Sequence, residues 1–165
     1  MKARYSLVAI LIATSSAHAQ EHPKVGDRFG DWVFQCEARA EGQTDCAFVQ
    51  TILNPEDKEP MAQIRILAPR ENGTAGMIAL LPLGLNLVQG VTGMVDGAGS
   101  VDVRVATCLP RGCLAQIDLT PDVVAMLETG TILELSYDVV SAGKRVTLNS
   151  SLSGVSSALS ASGWY

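Results

Sequence analysis

Turn chemistry punctuates this chain, and between the turns lie short segments rich in Val, Ile, Leu and Thr. The turns are Asn54-Pro55, Asn72-Gly73, Asp96-Gly97-Ala98-Gly99, Pro110-Arg111-Gly112 and Ser141-Ala142-Gly143-Lys144. Such a rhythm predicts an antiparallel sandwich or barrel. Several segments also alternate with period two, the mark of a strand with one wet face. Val101, Val103 and Val105 are interleaved with Asp102 and Arg104, and Leu133, Leu135, Tyr137 and Val139 with Glu134, Ser136 and Asp138. A four-residue loop then leads to Val146 and Leu148, which completes a hairpin. One helix is expected, with Thr120 as N-cap, Pro121 in the first position, an apolar stripe of Val123, Val124 and Leu127, and Gly130 as the stop. Ser153 to Ala161 is a second short helix or a polar tail.

At 165 residues, 47% of them hydrophobic and 18% charged, the chain is charge-poor and falls outside the disordered regime. A single domain with a real core is the expectation. The first nineteen residues stand apart from it. Lys2 and Arg4, the apolar run Tyr5 to Ala13 and the Ala17-His18-Ala19 pattern read as a secretory signal peptide cleaved before Gln20. That apolar run falls well short of the roughly 20 residues a membrane-spanning helix needs. Residues 20–165 then form the mature domain, periplasmic or secreted, with no membrane span. Losing Lys2 and Arg4 takes the formal charge from −5 to −7. Phosphate binding draws on clustered Lys and Arg, and none occurs here, so nucleic acid is excluded as a partner.

All four cysteines, Cys36, Cys46, Cys108 and Cys113, lie in the exported part, where an even count reads as a disulfide framework. If Cys36 faces Cys46 across two antiparallel strands, Phe34 faces Phe48 and Trp32 faces Gln50, all on one side of the ribbon. The aromatic pair and the bridge thus support one register, with Gly42 in the connection. For Cys108 and Cys113 a plain hairpin would set Val105 against Gln116 and Arg104 against Ile117, apolar against polar. One bulged residue restores the match. Neither spacing is C-x-x-C, which argues against a redox pair or a zinc site.

No catalytic, cofactor or metal residues stand out. His22 is the only histidine beyond the signal segment, and no G-x-S-x-G, H-E-x-x-H, Walker or dinucleotide pattern occurs. Asp96 and Asp102 read as a hairpin turn and a strand charge, because a calcium loop needs more closely spaced oxygen ligands. Glu56-Asp57-Lys58-Glu59 reads as a solvated loop. The most apolar stretch, Met77 to Val88, is interrupted by Pro82 and Gly84. It reads as a core strand with a tight crossing rather than an exposed docking edge.

Gly30-Asp31-Trp32 running to Cys36, then Cys46, Leu81-Pro82-Leu83-Gly84-Leu85 with Gly90-Val91, Asp96-Gly97, Cys108 with Gly112-Cys113, and Ser151-Leu152-Ser153-Gly154 with Ala158-Leu159 resemble the invasion-associated locus B family of exported bacterial proteins. The resemblance spans nearly the whole mature chain. It departs at Val155, where the family often has an aromatic residue, and at the added Trp164-Tyr165. It implies an immunoglobulin-like β-sandwich at the periplasm or cell surface, a role for some members in entering host cells, and no transferable catalytic residues. The leading expectation is a non-enzymatic interaction module with a protein partner at the cell envelope or host surface. The alternatives are a periplasmic thiol–disulfide protein and a small outer-membrane β-barrel, although eight aromatic residues are few for the aromatic girdles of a barrel.

Overall fold

A computed structural model describes residues 22–38, 42–67 and 76–163. The signal segment 1–19, the Asn72-Gly73 turn and Trp164-Tyr165 lie outside the described residues. The chain runs β1 (Arg28–Phe29), β2 (Trp32–Ala38), β3 (Thr44–Leu53), β4 (Pro60–Leu67), β5 (Gly76–Leu81), β6 (Val91–Val95), β7 (Gly99–Val101), β8 (Arg104–Leu109), β9 (Gly112–Asp118), α1 (Pro121–Thr129), β10 (Ile132–Val139), β11 (Lys144–Ser151) and α2 (Val155–Ala161). The strands form two antiparallel sheets. One has seven strands in the order β1-β2-β3-β4-β5-β9-β8, and the other has four in the order β11-β10-β6-β7. Inward-facing Phe48, Ile64 and Ile66 of the larger sheet and Leu133 and Leu135 of the smaller share one buried cluster, so the sheets make a β-sandwich.

Local chemistry accounts for the elements. β10 alternates as its sequence requires, with Leu133, Leu135 and Tyr137 buried, and it pairs with β11 from Ile132↔Ser151 to Val139↔Lys144. Pro121 opens α1, the Thr120 hydroxyl accepts from the Val123 N–H, and Val124 and Leu127 are buried. The helix ends where Gly130 turns to extended backbone, and glycine is required there for space rather than for an unusual φ, because a Cβ would strike Val95. The second helix exists as α2, and Val155 is buried in the core.

Both bridges form within their own hairpins, Cys36–Cys46 and Cys108–Cys113. The β2–β3 ladder sets Cys36 opposite Cys46 and Phe34 opposite Phe48, and ends at Val33↔Val49, one step short of Trp32 and Gln50. Phe34 and Phe48 pack at 5.0 Å, and Phe29 meets Phe48 edge-on at 5.0 Å. In the β8–β9 hairpin Thr107↔Leu114 and Val105↔Ala115 straddle a one-residue irregularity. It restores the apolar match that the plain register would lose.

One expected strand is divided. Val101, Val103 and Val105 do not share a ladder: β7 ends at Val101 against β6, and β8 begins at Arg104 against β9. The run therefore crosses from one sheet to the other. Val101 and Val103 are buried and Val105 is partly so, because alternation reports which way side chains face and not which strand the backbone pairs with.

Two polar devices join distant parts. Gln50 of β3 is buried, and its amide behaves like a strand residue toward β11. Nε2 donates to the Ser151 carbonyl at 2.9 Å, while Oε1 accepts from the Ser151 N–H at 3.0 Å and the Ser150 hydroxyl at 2.8 Å. Gly30 in the β1–β2 turn and Gly154 before α2, both with positive φ, touch backbone to backbone. The Asp31 N–H donates to the Ser153 carbonyl at 3.1 Å. A Cβ on either glycine would overlap the other turn.

Candidate functional site

The register places two rows of side chains on the outer face of the seven-stranded sheet. One runs Val49, Arg65, Ile78, Gln116 and the next Thr51, Gln63, Leu80, Leu114. Ile78, Leu80, Leu114 and the neighbouring Leu67 are half-buried, although they point away from the core. They floor a groove of about 1120 Å³ whose walls are the ends of the two disulfide-bonded hairpins. Glu37, Thr44 and Asp45 of the β2–β3 hairpin stand on one side, and Leu109, Pro110 and Arg111 of the β8–β9 turn on the other. A shallower hollow lined by Gln63, Leu80, Pro82 and Arg111 extends the groove past the β8–β9 turn.

Polar groups in the groove are few and placed. Arg65 lays its stem across the apolar floor and reaches Glu37 with two nitrogens, at 3.2 and 3.1 Å. Its Nε is buried with no acceptor among the described residues. An exposed pair of this kind contributes about 0–1 kcal/mol, so the clamp orients Arg65 more than it stabilises the sheet. Gly112 lets the β8–β9 turn lie close, since a Cβ there would strike the Leu81 carbonyl. The floor itself supplies aliphatic contact and the Gln63 amide, without a nucleophile or an acid–base pair. An apolar cleft with a few convergent polar groups is the usual form of a binding site.

The cysteines are thus wall braces. Cys113 is buried, Cys36 and Cys46 are half-buried, and Cys108 is exposed. Asp96 holds the β10 entrance, its carboxylate accepting from the N–H groups of Thr131 at 3.0 Å and Ile132 at 2.9 Å. Asp102 pairs with Arg104 at 3.8 Å, and Arg104 also pairs with Asp118. The 56–59 loop is a surface turn in which Asn54 and Asp57 accept from the N–H groups of Glu56 and Glu59. Met77 to Val88 divides. Met77, Ala79, Leu81 and Leu85 enter the core, Ile78 and Leu80 floor the groove, and Leu83, Leu87 and Val88 are exposed. The groove residues were missed in the sequence, although the unbroken apolar run of β5 signals that neither face is meant to be fully wet.

The family model described as Invasion associated locus B (IalB) protein matches residues 32–163. The chain belongs to the invasion-associated locus B family. Two Invasion protein B homologs of Brucella abortus, from strain 2308 and from biovar 1 strain 9-941, are each 27% identical to it over 137 residues. In each case the alignment covers 81% of this chain and 76% of the relative. Invasion-associated protein B from Bartonella henselae, a solved crystal structure, superposes with a TM-score of 0.70 at 23% identity. That match covers 82% of this chain and 92% of the other, and shows a shared fold. Among the described residues no helix is long and apolar enough to cross a membrane.

Proposed function

We propose that this protein is an exported, non-enzymatic binding module of the invasion-associated locus B type, and that it holds a protein partner at the cell envelope or host surface in the groove of its larger sheet. The observation that carries the reading is the half-buried aliphatic floor between two disulfide-braced hairpins. Side chains such as Ile78 and Leu80 gain little by facing water, and a protein surface laid over them removes apolar area at about 25 cal/mol per Å². Each bridge stiffens its own wall and the strands between set their spacing, so little loop ordering opposes association. Disulfides also suit an oxidising compartment, which fits the N-terminal export segment. The relatives named as invasion proteins fit a host-facing role.

Site-specific photo-crosslinking in the producing cell tests the proposal. A photoreactive side chain at Leu80 is expected to give a discrete protein adduct from the envelope or periplasmic fraction. One at Ser136, on the outer face of the smaller sheet, is expected to give none. Equal adducts at both positions, or none at either, would overturn the groove as the binding surface. Recovery of the protein solely from the cytoplasm would overturn export.

A further inference from the structure

Among the described residues seven large apolar side chains are exposed, and four of them, Leu83, Leu87, Val88 and Val140, come from two segments that touch. The β5–β6 crossing and the start of the β10–β11 turn are laced together at one end of the sandwich. The Val140 N–H donates to the Gly84 carbonyl at 2.9 Å, Asn86 N–H to the Asp138 carbonyl at 2.8 Å, and Leu85 bridges to Val139. The tip is also built stiff. The Asn86 side-chain oxygen accepts from the Val88 N–H at 3.1 Å, and the Gly90 N–H returns to the Asn86 carbonyl at 2.9 Å. Val88 is thereby presented at 97% exposure.

Charge is segregated at the same place. Residues 82–91 carry no charged side chain, and residues 139–146 carry only Lys144 and Arg145. The flanking carboxylate, Asp138, lies 3.7 Å from Arg145. Without Lys2 and Arg4 the chain has formal charge −7, but charges more than about 8 Å apart in water are largely screened at physiological salt. A surface that meets this tip therefore sees aliphatic side chains beside Lys144 and the Arg145–Asp138 pair.

We propose that this tip inserts into the headgroup boundary of an anionic lipid bilayer, with Leu87 and Val88 entering the acyl edge and Lys144 meeting the headgroup phosphates. The tip is a different surface from the groove, and its insertion does not depend on a partner there. A protein partner fits the tip less well. Four aliphatic side chains on a turn present at most a few hundred Å², against the roughly 1,200 Å² or more that a specific protein pair buries. A bilayer demands no matched area: affinity grows with the apolar surface inserted and with attraction to anionic lipid.

Vesicle flotation of the purified mature protein tests this, with pure phosphatidylcholine and with an equimolar mixture of phosphatidylcholine and phosphatidylglycerol. Wild-type protein is expected to float with the mixed vesicles and far less with the neutral ones. Val88→Asp is expected to lower the lipid partition coefficient about tenfold, Lys144→Glu about fivefold or more, and Val25→Asp, an exposed apolar site elsewhere, not at all. Val88 is almost fully exposed, so its variant should keep the wild-type unfolding midpoint. If it does not, Val88→Trp in the otherwise wild-type chain replaces it, and the emission of the introduced indole should shift to the blue only with mixed vesicles. No flotation of wild-type protein, equal flotation of Val88→Asp when folded, or an unshifted emission from the Val88→Trp variant would overturn the proposal. So would concentration-dependent self-association that Val88→Asp abolishes, because a second copy would then be the occupant.

Discussion

The outer faces of the two sheets are built to opposite rules. On β10 and β11 the outward positions are Glu134, Ser136, Asp138, Arg145, Thr147 and Asn149, and the Ser136 and Thr147 hydroxyls bond each other across the ladder at 2.8 Å. On β4, β5 and β9 the outward positions include Leu67, Ile78, Leu80 and Leu114. The smaller sheet has a core face and a water face, whereas the larger has a core face and a face suited to being covered. Both sheets close the core, and they differ outside it: one outer face is polar, and the other is aliphatic and half-buried.

The contrast is sharpest between inward and outward residues of the larger sheet. Ile64→Ala, at a fully buried position, is expected to cost about 2–5 kcal/mol in urea unfolding with an unchanged slope. Removing either bridge by paired Cys→Ala substitution is expected to cost about 2–3 kcal/mol on the loop-entropy model, slightly more for Cys36–Cys46 with its longer loop. The reduced walls should also lose the adduct formed at Leu80. Ile78→Ala, half-buried on the outer face, is expected to cost about 1 kcal/mol, since much of its area is already wet. A cost equal to that of Ile64→Ala would erase the distinction between the two faces.

Alkaline titration separates the sheets by a different route. Burial raises the phenol of Tyr137, on the inner face of β10, above its ordinary value of about 10. The folded protein thus holds that proton more tightly than the unfolded chain. Its contribution is intact below about pH 10 and is lost as pH rises through the folded value. Tyr137→Phe should flatten that part of the pH–stability curve, and an unaltered curve would assign the loss elsewhere. Smallest of all, Ser136→Ala on the wet face is expected to shift stability by no more than about 0.5 kcal/mol.

Much of this is legible in the sequence. The Thr120 cap and Pro121 are local chemistry, which the start of α1 obeys, whereas the glycine at 130 is also required by a distant side chain, Val95. The β2–β3 register followed from two independent pairs on one face, and the bulge of the β8–β9 hairpin from a clash of apolar with polar. Three things were not legible. The change of sheet between Val101 and Arg104 leaves the facing of side chains intact, so period two cannot reveal it. Ile78 and Leu80 of the groove read as interior, because an unbroken apolar strand looks the same whether its second face meets a core or a partner. Leu87 and Val88 were folded into the same core strand, although the hydrogen bonds of Asn86 turn them outward.

The contact of Gly30 with Gly154 has a bearing on how the protein is made. It joins the first hairpin to the last helix, so the step that closes the sandwich needs nearly the whole chain. Local hairpins with their bridges can form as the chain emerges, but contacts distant in sequence wait for both partners and form slowly. A C-terminal truncation that removes Ser153 and Gly154 therefore leaves the β1–β2 turn without its clasp, however complete the hairpins before it.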